Sequence, residues 1–217
     1  MIKLAIFDFD GTMADTADII LNTMRTTIAR MQLPARSDAE CAAVIGLPLA
    51  EGMKILCNLE DQNEIDEAVA LYRKIFAELD IEGAVTLFDG VMETIQELVA
   101  RGIIVTIASS RGRGTLINYV HNLGLDSYIS LILGVDDVIR AKPDPYPVEF
   151  TMEKFGISAD ETIVVGDAPY DILMGTRAGT HTIAVTYGNG TIKSLKEAGA
   201  EHIIDHFSTI SEIISRY

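Results

Sequence analysis

Two aspartates stand close together near the N-terminus, in the segment Asp8-Phe9-Asp10-Gly11-Thr12. The apolar run Leu4–Phe9 predicts a buried strand, and open α/β sheets bind ligands at the carboxyl ends of their strands. Two carboxylates about 4 Å apart repel each other by on the order of 4 kcal/mol at an effective dielectric constant of about 20, and a divalent cation or a shared proton would relieve that repulsion. The other interpretation is an Asp-Gly turn that simply ends the strand. The pair alone does not decide between the two.

Two further polar segments also follow apolar runs. Asp167 and Asp171 form a second acidic pair, which could equally be a helix N-cap with a surface acid. Ser109 and Ser110 come after another run and just before a predicted helix, where a hydroxyl and free backbone N–H groups can hold phosphate oxygens. A simple helix cap is the alternative for these serines.

The charge of the chain requires a local source of positive charge at any site for an anion. The chain has 32 acidic and 17 basic residues and a formal charge of −15, so a nucleic acid would be repelled and is excluded as a partner. Lys142 precedes Pro143, which favours an extended backbone at the lysine. We expect this lysine, the serines and both acidic pairs to meet at one edge of the fold.

The elements that would position these residues are those of an α/β fold. Short β-branched runs alternate with helical periodicity, which predicts a Rossmann-like, three-layer core with a parallel sheet. The predicted strands are Leu4–Phe9, Ile103–Ala108, Leu131–Leu133, Thr162–Val165 and Thr182–Val185.

A long helical segment separates the first two predicted strands. We interpret residues 15–83 as a small all-helical cap domain, and residues 1–14 and 84–217 as the core domain. The predicted helices of the cap are Ala17–Met31, Ala39–Val44, Leu49–Leu56 and Glu64–Leu79, with Gly83 closing the segment. Asp15 and Ala84 are expected near the two hinge strands, and Gly46 lies in a loop predicted to contact the substrate.

The remaining features predict a cytoplasmic protein. Cys41 and Cys57 are expected to be reduced and buried, because a secreted chain of this size would commonly carry more cysteines. The N-terminal residues 1–7 indicate a strand rather than a signal peptide. No apolar run approaches the roughly 20 residues that span a bilayer, so no membrane partner is predicted. No feature predicts an oligomeric state.

The ordered motifs resemble those of the haloacid dehalogenase superfamily, specifically its phosphatases with a helical cap after the first strand. The matching positions are Asp8 to Thr12 in the first motif, Ser109 in the second, Lys142 in the third, and Gly166-Asp167 with Asp171 in the fourth. The resemblance spans nearly the whole chain. Three later segments are most similar to phosphoglycolate phosphatases, namely Ala178-Gly179, Val185 to Gly190 and Gly199-Ala200.

The resemblance implies a two-step hydrolysis of a phosphate ester. Asp8 would attack phosphorus and form an acyl phosphate, while Asp10 would protonate the leaving oxygen and later deprotonate water. Mg²⁺ would be held by Asp8, the backbone carbonyl of Asp10 and Asp167. Asp171 would orient the outer shell of the metal, and Thr12 is a further supporting residue.

The resemblance also implies how the phosphoryl group is held. Its oxygens would be bound by Ser109, the N–H of Ser110 and Lys142, which stabilise the charge of the transition state. Arg111 stands where the family often has Lys, so we expect either a bidentate contact with a substrate carboxylate or phosphate, or a surface position. Asp89 is a second departure, since Pro is frequent there.

Other activities within the superfamily stay open to different degrees. Asp10 argues against the dehalogenase and phosphonate-cleaving branches, which lack an acid at that position. A β-phosphoglucomutase-like transfer is the second hypothesis, because Asp15-Thr16 resembles that branch, although no His lies in Asp18 to Arg25. A non-catalytic binding protein with the same fold is the third. The predicted substrate is a small phosphorylated acid, sugar, nucleotide or pyrophosphate.

Overall fold

A computed structural model of the 217-residue chain describes residues 1–80 and 84–217. Its main sheet has six parallel strands in the order β5-β4-β1-β6-β7-β8. They are β1 (Leu4–Phe7), β4 (Ile104–Ala108), β5 (Leu131–Leu133), β6 (Thr162–Gly166), β7 (His181–Val185) and β8 (His202–Ile204). The predicted α/β class with a parallel sheet is confirmed.

The first strand lies in the middle of the sheet. Phe7 at the end of β1 is level with Ile107 of β4 and Val165 of β6. Residues 4–7 are completely buried, as expected for a central parallel strand covered on both faces. The segments that follow β1, β4 and β6 therefore leave the sheet side by side.

Helices cover both faces of the sheet. They are α5 (Val91–Ala100), α6 (Arg113–Asn122), α7 (Tyr146–Phe155), α8 (Pro169–Arg177), α9 (Ile192–Glu197) and α10 (Thr209–Ile214). Alternate residues of β1 serve different layers: Phe7 packs in the larger apolar cluster, while Leu4 and Ile6 belong to a separate one with Val148 and Met174. This alternation fixes which side chains can reach the edge of the sheet.

Strand β1 ends earlier than its apolar run predicts. Phe9 lies in a turn, because its carbonyl accepts hydrogen bonds from the N–H groups of Met13 and Ala14, both at 3.0 Å. The predicted end of the strand at Phe9 is therefore wrong, because β1 ends at Phe7 and the turn begins at Phe9. The turn separates Asp8, whose N–H still donates to the carbonyl of Val165 in β6 at 2.8 Å, from Asp10.

Four helices lie between the strands of a small antiparallel pair. These helices are α1 (Ala17–Arg30), α2 (Asp38–Ala42), α3 (Leu49–Cys57) and α4 (Gln62–Leu79). The pair consists of β2 (Ala14–Asp15) and β3 (Thr86–Leu87), in which Asp15 is opposite Thr86. The chain thus enters and leaves the helical segment at one place. Gly83, its predicted end, lies outside the described residues, and the domain limits stay a prediction.

Local sequence explains where the inserted helices begin and end. The side chain of Asp61 accepts hydrogen bonds from two N–H groups of the first turn of α4, so this helix begins at Gln62 and not at the predicted Glu64. Asn58 ends α3 in a left-handed conformation.

Cys41 and Cys57 are free and buried, as expected. None of the helices within residues 1–80 and 84–217 has the length and apolar character needed to cross a membrane.

Candidate active site

Three buried aspartates meet at the carboxyl edge of the sheet. Asp8 follows β1, Asp167 follows β6, and Asp171 lies in the first turn of α8. One carboxylate oxygen from each lies within 4.8 Å of the others. We call these three residues the acid cluster. Its assembly follows from the parallel alignment of β1 and β6.

Lys142 lies directly against the acid cluster. Its Nζ donates hydrogen bonds to Oδ1 of Asp8 at 2.5 Å and to Oδ1 of Asp171 at 2.7 Å. Only 4% of Lys142 is exposed. Burial alone would lower the pKa of this lysine, but the charges of Asp171 and Asp8 outweigh that effect and raise it. The side chain is therefore an ammonium ion throughout the physiological range.

One ammonium does not compensate three carboxylates. Burial raises the pKa of Asp8 well above its ordinary value, and the charge of Asp171 adds to the increase. Burial, again with the charge of Asp171, raises the pKa of Asp167 to about 6. The cluster thus favours an additional positive charge, and hard oxygen donors of this kind suit Mg²⁺. The residues present fit such a cation.

Asp167 is held in place by a loop that follows β7. Its Oδ2 accepts hydrogen bonds from the backbone N of Asn189 at 2.6 Å and from Nδ2 of the same residue at 2.9 Å. The hydroxyl of Thr12 lies 3.1 Å from Oδ1 of Asp167 and 3.3 Å from Oδ2 of Asp8. With a single proton, Thr12 donates to one of these carboxylates at a time and links both.

Glycines allow two loops to close tightly on Asp167. A Cβ at Gly188 would lie 2.3 Å from both Cβ and Oδ2 of Asp167. Gly11 has φ +83°, and a Cβ there would lie 2.4 Å from Oδ2 of Asp167. A side chain at either position would displace the carboxylate. The acid cluster therefore requires glycine at both positions.

Asp10 is paired with a cation outside the acid cluster. Arg111 donates from Nε to Oδ2 of Asp10 at 3.0 Å and from Nη2 to Oδ1 at 2.6 Å. The side chain of Arg111 is 10% exposed, and that of Asp10 is 14% exposed. The alternative of a surface position for Arg111 is wrong, because the guanidinium is buried against this carboxylate.

Two aromatic rings hold the guanidinium of Arg111. Its central carbon lies 5.0 Å from the ring centroid of Phe76 in α4 and 4.9 Å from that of Tyr119 in α6. The hydroxyl of Tyr119 donates to Oδ1 of Asp80 at 2.5 Å. The inserted helices and the sheet domain both contribute to this setting.

The serines that follow β4 have different environments. Ser109 is buried, and its Oγ accepts a hydrogen bond from the backbone N of Arg111 at 3.1 Å. The Oγ of Ser110 donates to the carbonyl of Gly46 at 2.6 Å, so the loop predicted to contact the substrate lies at the site. Ser109 and Ser110 line a small cavity together with Lys142.

The structure thus brings most of the predicted site residues to one place. Five of them are connected by hydrogen bonds, namely Asp8, Thr12, Lys142, Asp167 and Asp171. Asp10 and Arg111 form a separate pair. The roles of all these residues stay predictions.

Two residues near the site have no role in the sequence-based interpretation. Asn189 binds Asp167, and the hydroxyl of Tyr187 donates to the carbonyl of Thr12 at 2.8 Å. Both follow β7, which leaves the sheet at the same edge as β1 and β6. Their position after a parallel strand was a usable signal, and both lie in the segment Val185 to Gly190 that resembles phosphoglycolate phosphatases.

Comparison with known proteins identifies a family. The model for that family, described as haloacid dehalogenase-like hydrolase, matches residues 5–185. The "Probable phosphatase IndB" of Dickeya dadantii is 35% identical over 213 residues, which are 97% of this chain and 92% of that protein. "Pyrophosphatase PpaX" of Halalkalibacterium halodurans is 29% identical, over 98% of this chain and 97% of that protein. "Phosphoglycolate phosphatase" of Yersinia pestis is 27% identical, over 96% and 91%.

A solved structure has the same architecture. The crystal structure named "Putative haloacid dehalogenase-like hydrolase", from Bacteroides fragilis, superposes with a TM-score of 0.91 at 25% identity. The match covers 97% of this chain and 100% of that chain. The sheet and the inserted helices are therefore found together in another protein.

Proposed function

The chain belongs to the family of haloacid dehalogenase-like hydrolases, as its motifs predict, and we propose that it is a Mg²⁺-dependent phosphatase. It hydrolyses a small phosphorylated metabolite through a phosphoryl group carried on Asp8. The observation that carries the proposal is the contact of the Lys142 ammonium with Asp8 inside a group of three buried carboxylates. A carboxylate beside a fixed cation is suited to attack a phosphorus atom whose oxygens need compensation.

In the first step, an oxygen of Asp8 forms a bond to phosphorus while the bond from phosphorus to the leaving oxygen breaks. Asp10 gives a proton to the leaving oxygen. Lys142, the hydroxyl of Ser109 and the N–H of Ser110 bind the phosphoryl oxygens, because these residues line one small cavity and Lys142 also contacts the nucleophile.

In the second step, water attacks the phosphorus of the aspartyl phosphate. Asp10, now a carboxylate, accepts a proton from this water, and the bond between phosphorus and the oxygen of Asp8 breaks. Inorganic phosphate leaves and Asp8 is restored. One acid–base residue thus serves both steps in opposite directions.

The acid cluster would hold the metal ion. Asp8 and Asp167 would supply carboxylate oxygens to it, the backbone carbonyl of Asp10 would be a third ligand, and Asp171 would support them through its contacts. Bound there, Mg²⁺ would add the positive charge that lets an anionic phosphoryl group approach a carboxylate. Thr12 and Asn189 keep Asp167 oriented toward the site through their hydrogen bonds.

Residues 15–83 act as a cap in this proposal. The Gly46 loop belongs to the cap and already touches Ser110 of the core. Closure over the substrate would exclude bulk water during the transfer. The limited size of the cap favours a small substrate, and the names of two relatives make pyrophosphate and phosphoglycolate the first compounds to assay. The free, buried cysteines support a cytoplasmic location.

The test is hydrolysis of p-nitrophenyl phosphate with Mg²⁺, with EDTA, and by the variant Asp8→Asn. We expect the rate to fall by at least about 10³-fold with EDTA or in Asp8→Asn, because the charge compensation or the nucleophile is lost. Asp160→Asn is the matched control, since Asp160 is exposed and precedes β6, at the opposite end of that strand from Asp167. Equal rates under all conditions would refute the proposal, and bisphosphate-dependent formation of sugar phosphate isomers would indicate the mutase instead.

A further inference from the structure

The guanidinium of Arg111 keeps hydrogen-bond donors that the protein does not use. Its Nε and Nη2 bind Asp10, whereas Nη1 makes no hydrogen bond to any residue within 1–80 and 84–217. Since Nη1 is not one of the fully buried atoms that lack a hydrogen-bond partner in this part of the chain, it is not completely shielded from solvent. Its unused donors are therefore in contact with solvent, although the side chain as a whole is only 10% exposed.

The position of the guanidinium does not depend on Asp10 alone. Phe76 and Tyr119 lie about equally far from it, at 5.0 and 4.9 Å, and its backbone N–H is bonded to Ser109. A planar cation held between two rings is already oriented before it binds an anion, so little conformational entropy is lost on binding. If Asp10 turns toward a substrate oxygen, Arg111 stays where it is.

The proposed reaction places part of the substrate beside this cation. Asp10 transfers its proton to and from the leaving oxygen, and Arg111 nitrogens lie only 2.6 and 3.0 Å from the Asp10 carboxylate. Atoms attached to the leaving oxygen are therefore within reach of the guanidinium. In a chain with a formal charge of −15, a second negative charge on the substrate would be repelled here without such a partner.

We infer that Arg111 binds a second anionic group on the leaving side of the substrate and selects phosphorylated compounds that carry one. The inference rests on the proposed phosphatase reaction and names the substrate class of that site. The ligand is a carboxylate or a phosphate, because both match the two parallel N–H donors of a guanidinium. A neutral leaving group gains nothing from this contact.

The first measurement uses the unaltered protein with Mg²⁺ and two matched pairs of substrates. Phosphoglycolate is compared with 2-hydroxyethyl phosphate, and pyrophosphate is compared with p-nitrophenyl phosphate. The leaving groups within each pair are similar in acidity, but only one carries a second anion. We expect kcat/KM to be higher for the anionic member of at least one pair by about 10-fold or more. Preferences below about threefold in both pairs would overturn the inference.

The second measurement separates substrate binding from an effect through Asp10. Arg111→Gln should lower kcat/KM for the preferred anionic substrate about 10- to 100-fold more than for its neutral partner. Arg111→Lys should recover part of the difference, because it restores the charge without the two parallel donors. Arg25→Gln is the matched control, since Arg25 is exposed and pairs with Asp38 away from the site.

The outcomes distinguish this inference from the proposed function. Equal losses for both members of a pair in Arg111→Gln would mean that Arg111 only positions Asp10, and the inference would be wrong while the phosphatase stands. If Arg111→Gln does not fold, the preference of the unaltered protein decides. An unaltered protein that hydrolyses none of the four compounds with Mg²⁺ would refute the phosphatase and the inference together.

Discussion

Lys142 contacts Asp8 through a 2.5 Å hydrogen bond between Nζ and Oδ1, and both side chains are almost completely buried. The lysine comes from the loop after β5, and the aspartate follows the central strand. The same ammonium also binds Asp171. A cation from one loop thus compensates carboxylates from two other elements. The same contact should therefore affect both the stability of the protein and the activity of the site.

Removing the lysine should destabilise the metal-free protein strongly. Lys142→Met leaves Asp8 and Asp171 buried without a cation, and breaking a buried ion pair in this way costs about 3–5 kcal/mol in the free energy of unfolding. Urea unfolding in EDTA at neutral pH measures the effect. Saturating Mg²⁺ should restore part of the loss, because it supplies positive charge to the same carboxylates.

Lys154→Met is the control for this experiment, since Lys154 is exposed at the end of α7. We expect no measurable change in its unfolding midpoint. An equally small change in Lys142→Met would mean that the lysine does not hold the cluster together.

Binding of Mg²⁺ should depend on pH because protons compete for the same oxygens. The pKa of Asp167 is raised from 3.8 to about 6, so the folded protein binds a proton there more tightly than the unfolded chain does. In EDTA, this group contributes stability that is fully present below 3.8 and is lost as the pH rises through about 6. The affinity for Mg²⁺ has the opposite dependence, since only the carboxylate binds the ion.

We therefore expect the dissociation constant for Mg²⁺ to fall by about fivefold from about pH 5 to 6, by about twofold from about pH 6 to 7, and to level off above about pH 7. Calorimetric titration at several pH values measures it. In Asp167→Asn the dependence should be shallower, because one competing proton is lost. A dissociation constant that is the same at every pH would contradict the raised pKa.

The strand ends made most of the site predictable from the sequence. Asp8, Ser109 and Asp167 each follow an apolar run, and parallel strands that leave a sheet side by side bring such residues together. No knowledge of side-chain conformation was needed for that step. Strand limits were less predictable, since the turn at Phe9 depends on hydrogen bonds that an apolar residue does not reveal.

The pairing of Arg111 with Asp10 could not be predicted in this way. It depends on the conformations of both side chains and on Phe76, which belongs to the inserted helix α4. The hydrogen bonds of Asn189 to Asp167 join residues that are distant in sequence and carry no charge pattern. Contacts of this kind follow from packing, which strand and helix periodicity do not describe.

The glycine after β7 should be as important as the acids that it surrounds. Gly188→Ala places a Cβ 2.3 Å from both Cβ and Oδ2 of Asp167, so this carboxylate must move from its place in the acid cluster. We expect the dissociation constant for Mg²⁺ to rise at least about tenfold and hydrolysis of p-nitrophenyl phosphate to fall at least about 100-fold. Metal titration and steady-state kinetics measure the two effects.

Gly114→Ala is the matched control for Gly188→Ala. Gly114 lies in the exposed first turn of α6, and a Cβ there meets nothing within 4 Å. Alanine favours the helix by roughly 0.5–1 kcal/mol over glycine, so this variant should be as stable as the unaltered protein or slightly more stable, with unchanged kinetics. Loss of metal binding in both variants would point to a general effect of substitution and not to the crowding at Asp167.

The two serines after β4 should differ in what their hydroxyls do. The Ser110 hydroxyl is occupied by the carbonyl of Gly46, so its proposed contribution to phosphate binding is the backbone N–H, which alanine retains. Ser109 lines the cavity together with Lys142, and its hydroxyl is proposed to bind a phosphoryl oxygen directly. Ser109→Ala should therefore lower kcat/KM for p-nitrophenyl phosphate by about 100-fold, and Ser110→Ala by less than about fivefold.

The Ser110 variant should instead change how the helical segment is held. Loss of the hydrogen bond to Gly46 removes a link between the sheet domain and residues 15–83, worth about 1 kcal/mol in a typical case. We expect faster amide hydrogen exchange in the Gly46 loop of Ser110→Ala, with the exchange of β1 unchanged. Comparable losses of activity in both serine variants, without a change in exchange at Gly46, would show that the Ser110 hydroxyl binds the phosphoryl group and that its bond to the loop is incidental.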